Sequence, residues 1–411
     1  MCYNISRDQK KANQEKSNMT KKCSVAVIGV GQRGYAYVSM LQNHPQVELA
    51  ALCDSSKERL KCFSLELGCI GVPLFHSVDE LLAWGQFDAV IITTPDFTHK
   101  SCAVKSFEAG KHVMLEKPMA PTAAESREII EAARKSGKTL QIGFVLRCHP
   151  VFKGVKKELD AGTIGQLLSI NCSESLRVMH GASYMRRWHR KSANSGGFLL
   201  AKCSHDLDLM SDFTRSLPVR VSSFGGLDFF TPDKQKAPVC SQCPDQACRF
   251  RFKGEMVRMT PEEKADPAAK GFDLCVFNAD KDVVDNQQVL LEYANGVRGT
   301  FSLNLFAPVP KREWRLVGTC GYIDADTAKK EYTVTFSDGR EGYTCHCEAD
   351  NSSAHDGSDM IFLNEFVNNI LSGKAPEADA AAGLTSTVIG NAIEKARLTG
   401  TVVTISPEEY K

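Results

Sequence analysis

The sequence predicts an α/β protein in two parts: a doubly wound parallel sheet, then an α+β domain built on an open, mostly antiparallel sheet. Three observations carry this. At 411 residues the chain exceeds what one hydrophobic core usually supports, and its 43% hydrophobic residues suffice to fill two. From Ser24 onward, short apolar strands alternate with amphipathic helical stretches. Past Phe144 to Arg147 the texture changes to longer strands of alternating polarity.

Residues 1–22 are polar, lack the apolar stretch of a secretory signal and predict a disordered tail. The first domain, 23–146, holds five candidate strands: SVAVIG (24–29), VELAALC (47–53), AVIITT (89–94), HVMLE (112–116) and TLQIGF (139–144). The intervening stretches are helical. In AAESREIIEAARKSG, Ile129, Ile130 and Ala133 form one apolar face and Gly137 is placed to cap the C-terminus. In the second domain, 147–411, Asn295-Gly296 stands between two alternating runs and predicts a tight hairpin with positive φ at its turn. Helices at 359–371 and 380–398 are expected to cover one face of that sheet.

Basic and acidic residues number 50 and 49 and are well mixed, so the net charge of +1 gives no electrostatic footprint for nucleic acid or an anionic membrane. No apolar run approaches the roughly 18 residues of a membrane-spanning helix. Most of the 16 cysteines stand alone in apolar contexts, as expected of buried thiols in a reducing cytoplasm. A soluble cytoplasmic protein with a small neutral or singly charged partner is the expectation.

A strand runs into Gly29-Val-Gly31-Gln32-Arg33-Gly34, which opens a helix, and Asp54-Ser55 ends the next strand. That context makes the glycines a dinucleotide-binding loop. Gly29 makes the tight turn, Gly31 lets the backbone approach a pyrophosphate, and Gly34 allows close packing of helix on strand. The helix N-terminus presents its positive end to the phosphates. Asp54 can accept from both adenosine ribose hydroxyls and would repel a 2′-phosphate, which favours NAD over NADP; Lys57 and Arg59 leave an opening for the latter. The competing reading of Asp54 is a carboxylate that caps the following helix. Thr94-Pro95 and Glu116-Lys117-Pro118 close two further strands at the carboxyl edge, where ligands of such sheets bind. By position alone Lys117 could equally be a solvated loop lysine.

The set Gly29-x-Gly31-x-x-Gly34, Thr94-Pro95-x-x-x-His99, Glu116-Lys117-Pro118 and Gly196-Gly197 followed by His205-Asp206-x-Asp208 resembles the glucose-fructose oxidoreductase, inositol dehydrogenase and rhizopine-catabolism (Gfo/Idh/MocA) family from about Cys23 to the C-terminus. The resemblance implies a tightly held nicotinamide cofactor, sugar, inositol or polyol substrates, and a homo-oligomer formed through the C-terminal sheet. It implies that Lys117 hydrogen-bonds the reacting oxygen and that Pro118 is cis. An ammonium there polarises a carbonyl or stabilises a developing alkoxide.

The family often places an acid one helical turn before its histidine, but here Ala201 precedes His205 by four residues. Lys202 and Asp208 lie within a turn of His205 and are the candidate replacements for that acid; His205 is the expected general acid/base, unless it caps a helix or sits satisfied in the core. Arg147, Arg187, Trp188 and His189 are expected on the substrate side, where Trp188 offers a flat face to a sugar ring; a solvated basic loop would look similar.

Cys240-Ser-Gln-Cys243-Pro-Asp-Gln-Ala-Cys248 lies in a Cys-rich insertion near 240–275, with Cys275 beyond it. Such spacing suits a structural zinc ion, with free thiols, a disulfide or an iron-sulfur centre as alternatives. The functional expectation is an NAD-dependent sugar or polyol dehydrogenase. Its competitors are an enzyme that oxidises transiently to cleave or epimerise a sugar with no net redox change, and a cofactor-binding regulator.

Overall fold

The computed structural model describes residues 22–253, 258–267, 271–348 and 355–411; the predicted tail at 1–22 lies, save Lys22, outside them. The first sheet is built from β1 (Cys23–Ile28), β2 (Val47–Cys53), β3 (Leu74–Phe75), β4 (Ala89–Ile92), β5 (His112–Leu115) and β6 (Leu140–Ile142). Between them run α1 (Gln32–Gln42), α2 (Lys57–Glu66), α3 (Val78–Trp84), α4 (His99–Glu108) and α5 (Ala123–Ser136). The strand order is β3-β2-β1-β4-β5-β6, all parallel. Parallel strands flanked by helices must be apolar on both faces, and β4 is buried at every position. The order reverses between β1 and β4, so their carboxyl ends diverge into a crevice. β3 escapes sequence reading because two residues carry no periodicity.

The chain continues through α6 (Pro150–Asp160), β7 (Leu167–Arg177), α7 (Val178–Tyr184), α8 (Ser192–Ser195), α9 (Phe198–Thr214) and β8 (Pro218–Gly226). After α10 (Pro261–Ala265) come β9 (Asn286–Tyr293), β10 (Arg298–Ala307), β11 (Lys311–Gly318), β12 (Gly321–Asp326), β13 (Glu331–Phe336) and β14 (Tyr343–His346). Then follow α11 (Ser358–Ser372), α12 (Ala380–Thr399) and β15 (Val403–Thr404). The second sheet has the order β14-β13-β12-β11-β7-β10-β9-β8-β15, and only β7 and β10 pair in parallel. Asn295-Gly296 turns the β9–β10 hairpin as predicted, with Gly296 at φ +85° and Asn295 Oδ1 accepting from the Val297 amide.

Period-two alternation gives this sheet two different faces. Ile170, Cys172, Trp314, Leu316, Ile323 and Val334 point into the second core. Asn171, Ser173, Arg315, Asp324 and Thr333 line an open polar concavity of about 630 Å³ on the other side.

One expectation is corrected. α12 packs in the second core through Leu384, Val388, Ile389 and Ile393, but α11 does not. Its apolar face, Phe362, Leu363, Phe366 and Val367, joins the core of the parallel sheet, and beyond it the Ile142 amide donates to the Ala378 carbonyl at the β6 edge. The parallel sheet needs cover on that flank, and a helix from the far end of the chain supplies it. Among the described residues no helix is long and apolar enough to cross a membrane.

Candidate active site

The β1–α1 turn is shaped by its glycines. Gly29 takes φ +90°, a conformation side chains rarely adopt, and a Cβ on Gly34 would stand 2.0 Å from the Gly29 carbonyl oxygen. A Cβ on Gly31 would meet nothing within 4 Å, so the backbone there faces open space, the cradle a pyrophosphate requires. Asp54 braces the loop: Oδ2 accepts from the Val30 amide at 2.9 Å and Oδ1 from the Ser56 amide at 2.9 Å. Ser56 caps α2, accepting from the Arg59 amide.

Several residues expected at the cofactor are occupied with one another. Arg33 is hydrogen-bonded to Glu116 at 2.8 Å, Tyr37 at 2.9 Å and Asp359 at 2.9 Å. Burial opposes the Asp359 carboxylate, but His355 and Arg33 prevail and hold it well below the usual range. This network ties the glycine loop, the β5 end and α11 together. His99 is fully buried with Nδ1 2.9 Å from the Pro118 carbonyl and Nε2 2.9 Å from that of Thr94. Arg33, Glu116 and His99 thus frame the pocket, binding protein groups where contact with cofactor was expected. Thr94 and Pro95 remain at the β4 end, and the Lys117–Pro118 peptide is cis.

Lys117 lies at the seam of the two sheets. Its Nζ donates to the Ala201 carbonyl at 2.8 Å. α9 is broken at Cys203, whose φ of −108° and ψ of 15° are non-helical, so the straight helical spacing from residue 201 to 205 does not hold. Lys117 therefore reaches the backbone of the residue whose side chain, in relatives, is often the acid. Burial and the Lys202 charge push the Lys117 amine down, against Asp96 and Glu116. Burial likewise pushes the Asp96 carboxyl up, against Lys117.

His205 is 5% exposed, and its Nδ1 has no hydrogen-bond partner among the described residues. Burial, then the charge of Lys117, pushes it well below the ordinary histidine range. Lys202 is paired with Glu174 at 3.2 Å, and Arg312 joins Glu174 at 3.0 Å to Asp206 at 2.8 Å, which anchors α9 on the second sheet. Trp188 stacks on His189 at 3.6 Å between centroids and meets Phe97 edge-on at 5.9 Å. His189 in turn packs on Tyr184 at 4.2 Å. Burial and the Lys202 charge drive His180 down to about 4.

Two sequence expectations give way here. Arg147 and Asp208 form a two-pronged buried ion pair, both bonds 2.7 Å, and Arg147 also donates to the Glu377 carbonyl. Asp208 is thereby paired with Arg147 and not with His205; an acid 2% exposed needs such a partner. Zinc is not supported either. Cys240, Cys243, Cys248 and Cys275 do line one small cavity, with Phe250, Val276, Phe277 and Arg251. All four are free thiols, and burial pushes Cys275 up. Among the described residues no three metal-ligating side chains gather as a site, whereas tetrahedral zinc needs four ligands, a thiolate lying about 2.3 Å away.

Asp96, Glu174 and Arg312 were not singled out in the sequence. Only Asp96 carried a signal, being the first unspecified position after Thr94-Pro95.

A strand-turn-helix cradle and a lysine at the carboxyl edge of one parallel sheet, with a second domain packed against that lysine, is the organisation of a two-domain dinucleotide-binding protein. The chain belongs to the Gfo/Idh/MocA oxidoreductase family: the family's NAD-binding Rossmann fold matches residues 23–144 and its C-terminal alpha/beta domain matches 156–405. YteT of Bacillus subtilis (strain 168), named only as an oxidoreductase, is 25% identical over 379 residues, 84% of this chain and 88% of that protein. The scyllo-inositol 2-dehydrogenase (NAD(+)) of the same strain is 29% identical over 185 residues, 45% of this chain and 52% of its own length. The fold matches a solved levoglucosan dehydrogenase in complex with NADH and levoglucosan at TM-score 0.75 and 18% identity, covering 94% of this chain and 100% of that one.

Proposed function

We propose that the protein is an NAD-dependent dehydrogenase that moves a hydride between nicotinamide and a CH–OH group of a sugar, inositol or related polyol. The observation that carries this is the meeting of Lys117, from the parallel sheet, with the backbone of Ala201 at 2.8 Å, four residues before a buried His205. Gly29, Gly31, Gln32, Gly34, Asp54, Ser55, Thr94 and Pro95 would hold NAD, which supplies the hydride acceptor when bound. Lys117 stabilises the charge that develops on the reacting oxygen. His205 takes the hydroxyl proton; with Nδ1 sealed inside the protein, Nε2 is the nitrogen left to meet substrate. Arg187, Trp188 and His189 form the substrate wall, with Trp188 as its flat apolar face. Copies pair through the open second sheet, where Phe224 and Leu290 stand exposed on neighbouring strands.

A second reading rests on Ala201. With no carboxylate there, and with an amine pushed toward neutrality at Lys117, the same groups suit transient oxidation followed by elimination or epimerisation and return of the hydride. A panel of sugars and polyols with purified protein and NAD separates the two. NADH accumulating in step with product supports the dehydrogenase, and product without net NADH supports the second reading. Normal biological activity of Lys117→Ala with NAD binding intact would sink both in favour of a cofactor-binding regulator.

A further inference from the structure

The Cys-rich insertion, between β8 and β9, reaches back to the nucleotide side of the molecule. Arg258 lies over the Tyr35 ring of α1 at 3.2 Å from its centroid and pairs with Glu66 of α2 at 2.6 Å. Met259 and Thr260 are buried, so the segment is seated rather than draped. α10 then begins, and its Glu263 meets Arg59 of α2 at 2.6 Å, the two side chains only 8% and 15% exposed. The carboxylate is divided between two tasks. Oε1 accepts from Arg59, while Oε2 accepts from the Thr260 amide at 2.9 Å in a capping box that starts α10.

Arg59 stands one turn beyond Asp54, the aspartate expected at the adenosine ribose. Its amide donates to the Ser56 side chain at 3.2 Å, and the Ser56 amide donates to Asp54 at 2.9 Å. A guanidinium in this turn is what accommodates the 2′-phosphate of NADP in dinucleotide folds, because its fork matches phosphate oxygens. Here that fork is taken. Releasing it would leave Glu263 buried and unpaired, which is strongly unfavourable.

We propose that Glu263 is a specificity-determining residue: from the second domain's insertion it holds Arg59 away from the adenosine 2′ position, so that preference for NAD rests on Glu263 as well as Asp54. This rests on the NAD reading of the glycine loop. The carboxylate acts through Arg59, so its effect is on which nucleotide binds and not on the hydride step.

The test compares wild type, Glu263→Gln and the double variant Arg59→Gln/Glu263→Gln by titration of NAD and NADP against protein fluorescence. Glutamine still serves a capping box, so α10 keeps its start, and the double variant leaves no buried charge unpaired. Glu263→Gln is expected to tighten NADP roughly tenfold while NAD changes little, and the double variant to lose that gain. Intact NAD binding with unchanged NADP affinity in Glu263→Gln overturns the role of Glu263 alone, as does a gain that survives removal of Arg59. A wild type that binds neither nucleotide overturns the NAD reading with it.

Discussion

The nucleotide half and the substrate half of the pocket treat buried polarity in opposite ways. Around the glycine loop each charged group has a partner: Asp54 with two amides, and Arg33 with Glu116, Tyr37 and Asp359. On the substrate side, Nδ1 of His205 and of His189 are buried without a hydrogen-bond partner among the described residues. A satisfied network stays rigid and holds its shape before a ligand arrives. Unsatisfied groups beside it are costly to keep, and such costs gather at functional sites. The frame is finished in the chain itself, and the reacting side carries polar atoms that the fold leaves unpaired.

The largest test of this division is Lys117→Met. Removing the donor at the reacting oxygen is expected to lower kcat by about a thousandfold, with the dissociation constant for NAD within about twofold of wild type. A parallel loss of NAD affinity would put Lys117 in the frame instead. Next comes Arg147→Met, which leaves Asp208 buried and unpaired and is expected to cost about 3 kcal/mol of stability. Arg147→Met/Asp208→Leu should recover most of it, with KM unchanged in both. Denaturant unfolding and steady-state kinetics together check this, since a raised KM at full stability would return Arg147 to the substrate wall.

The same division explains what could be read from the chain. The glycine loop, Asp54, the strand ends at Thr94 and Lys117, and the Asn295-Gly296 hairpin are local, each specified by a few neighbouring residues and a period. Arg147 and Asp208 are 61 residues apart, and each looked like a ligand-binding group because its partner was out of view. Arg33 and Asp359 are 326 apart, and nothing in the pattern of α11 says that its apolar face belongs to the first core. The cysteine spacing invited zinc for the converse reason. Short spacing brings thiols to one cavity without arranging them as a metal site among the described residues.

The smallest expected effect concerns protons. His99, His149 and His205 are all buried, and in each, burial is the largest influence and lowers the pKa from 6.5. In the unfolded chain each titrates near its ordinary value. Between 6.5 and the lower folded values, the unfolded state therefore binds more protons, and stability rises with pH. The contribution is fully present above 6.5 and is lost as pH falls below it, at up to about 1.4 kcal/mol per histidine per pH unit. Two of these histidines have their rings engaged, His99 with two carbonyls and His149 with Asp356, whereas His205 Nδ1 has nothing. His205→Asn should accordingly remove one histidine's share of the acid-side loss, measured by unfolding between about pH 5 and 7. An unchanged slope would mean that the His205 imidazole takes up its proton within the folded protein, and the substrate half would then be as well satisfied as the frame.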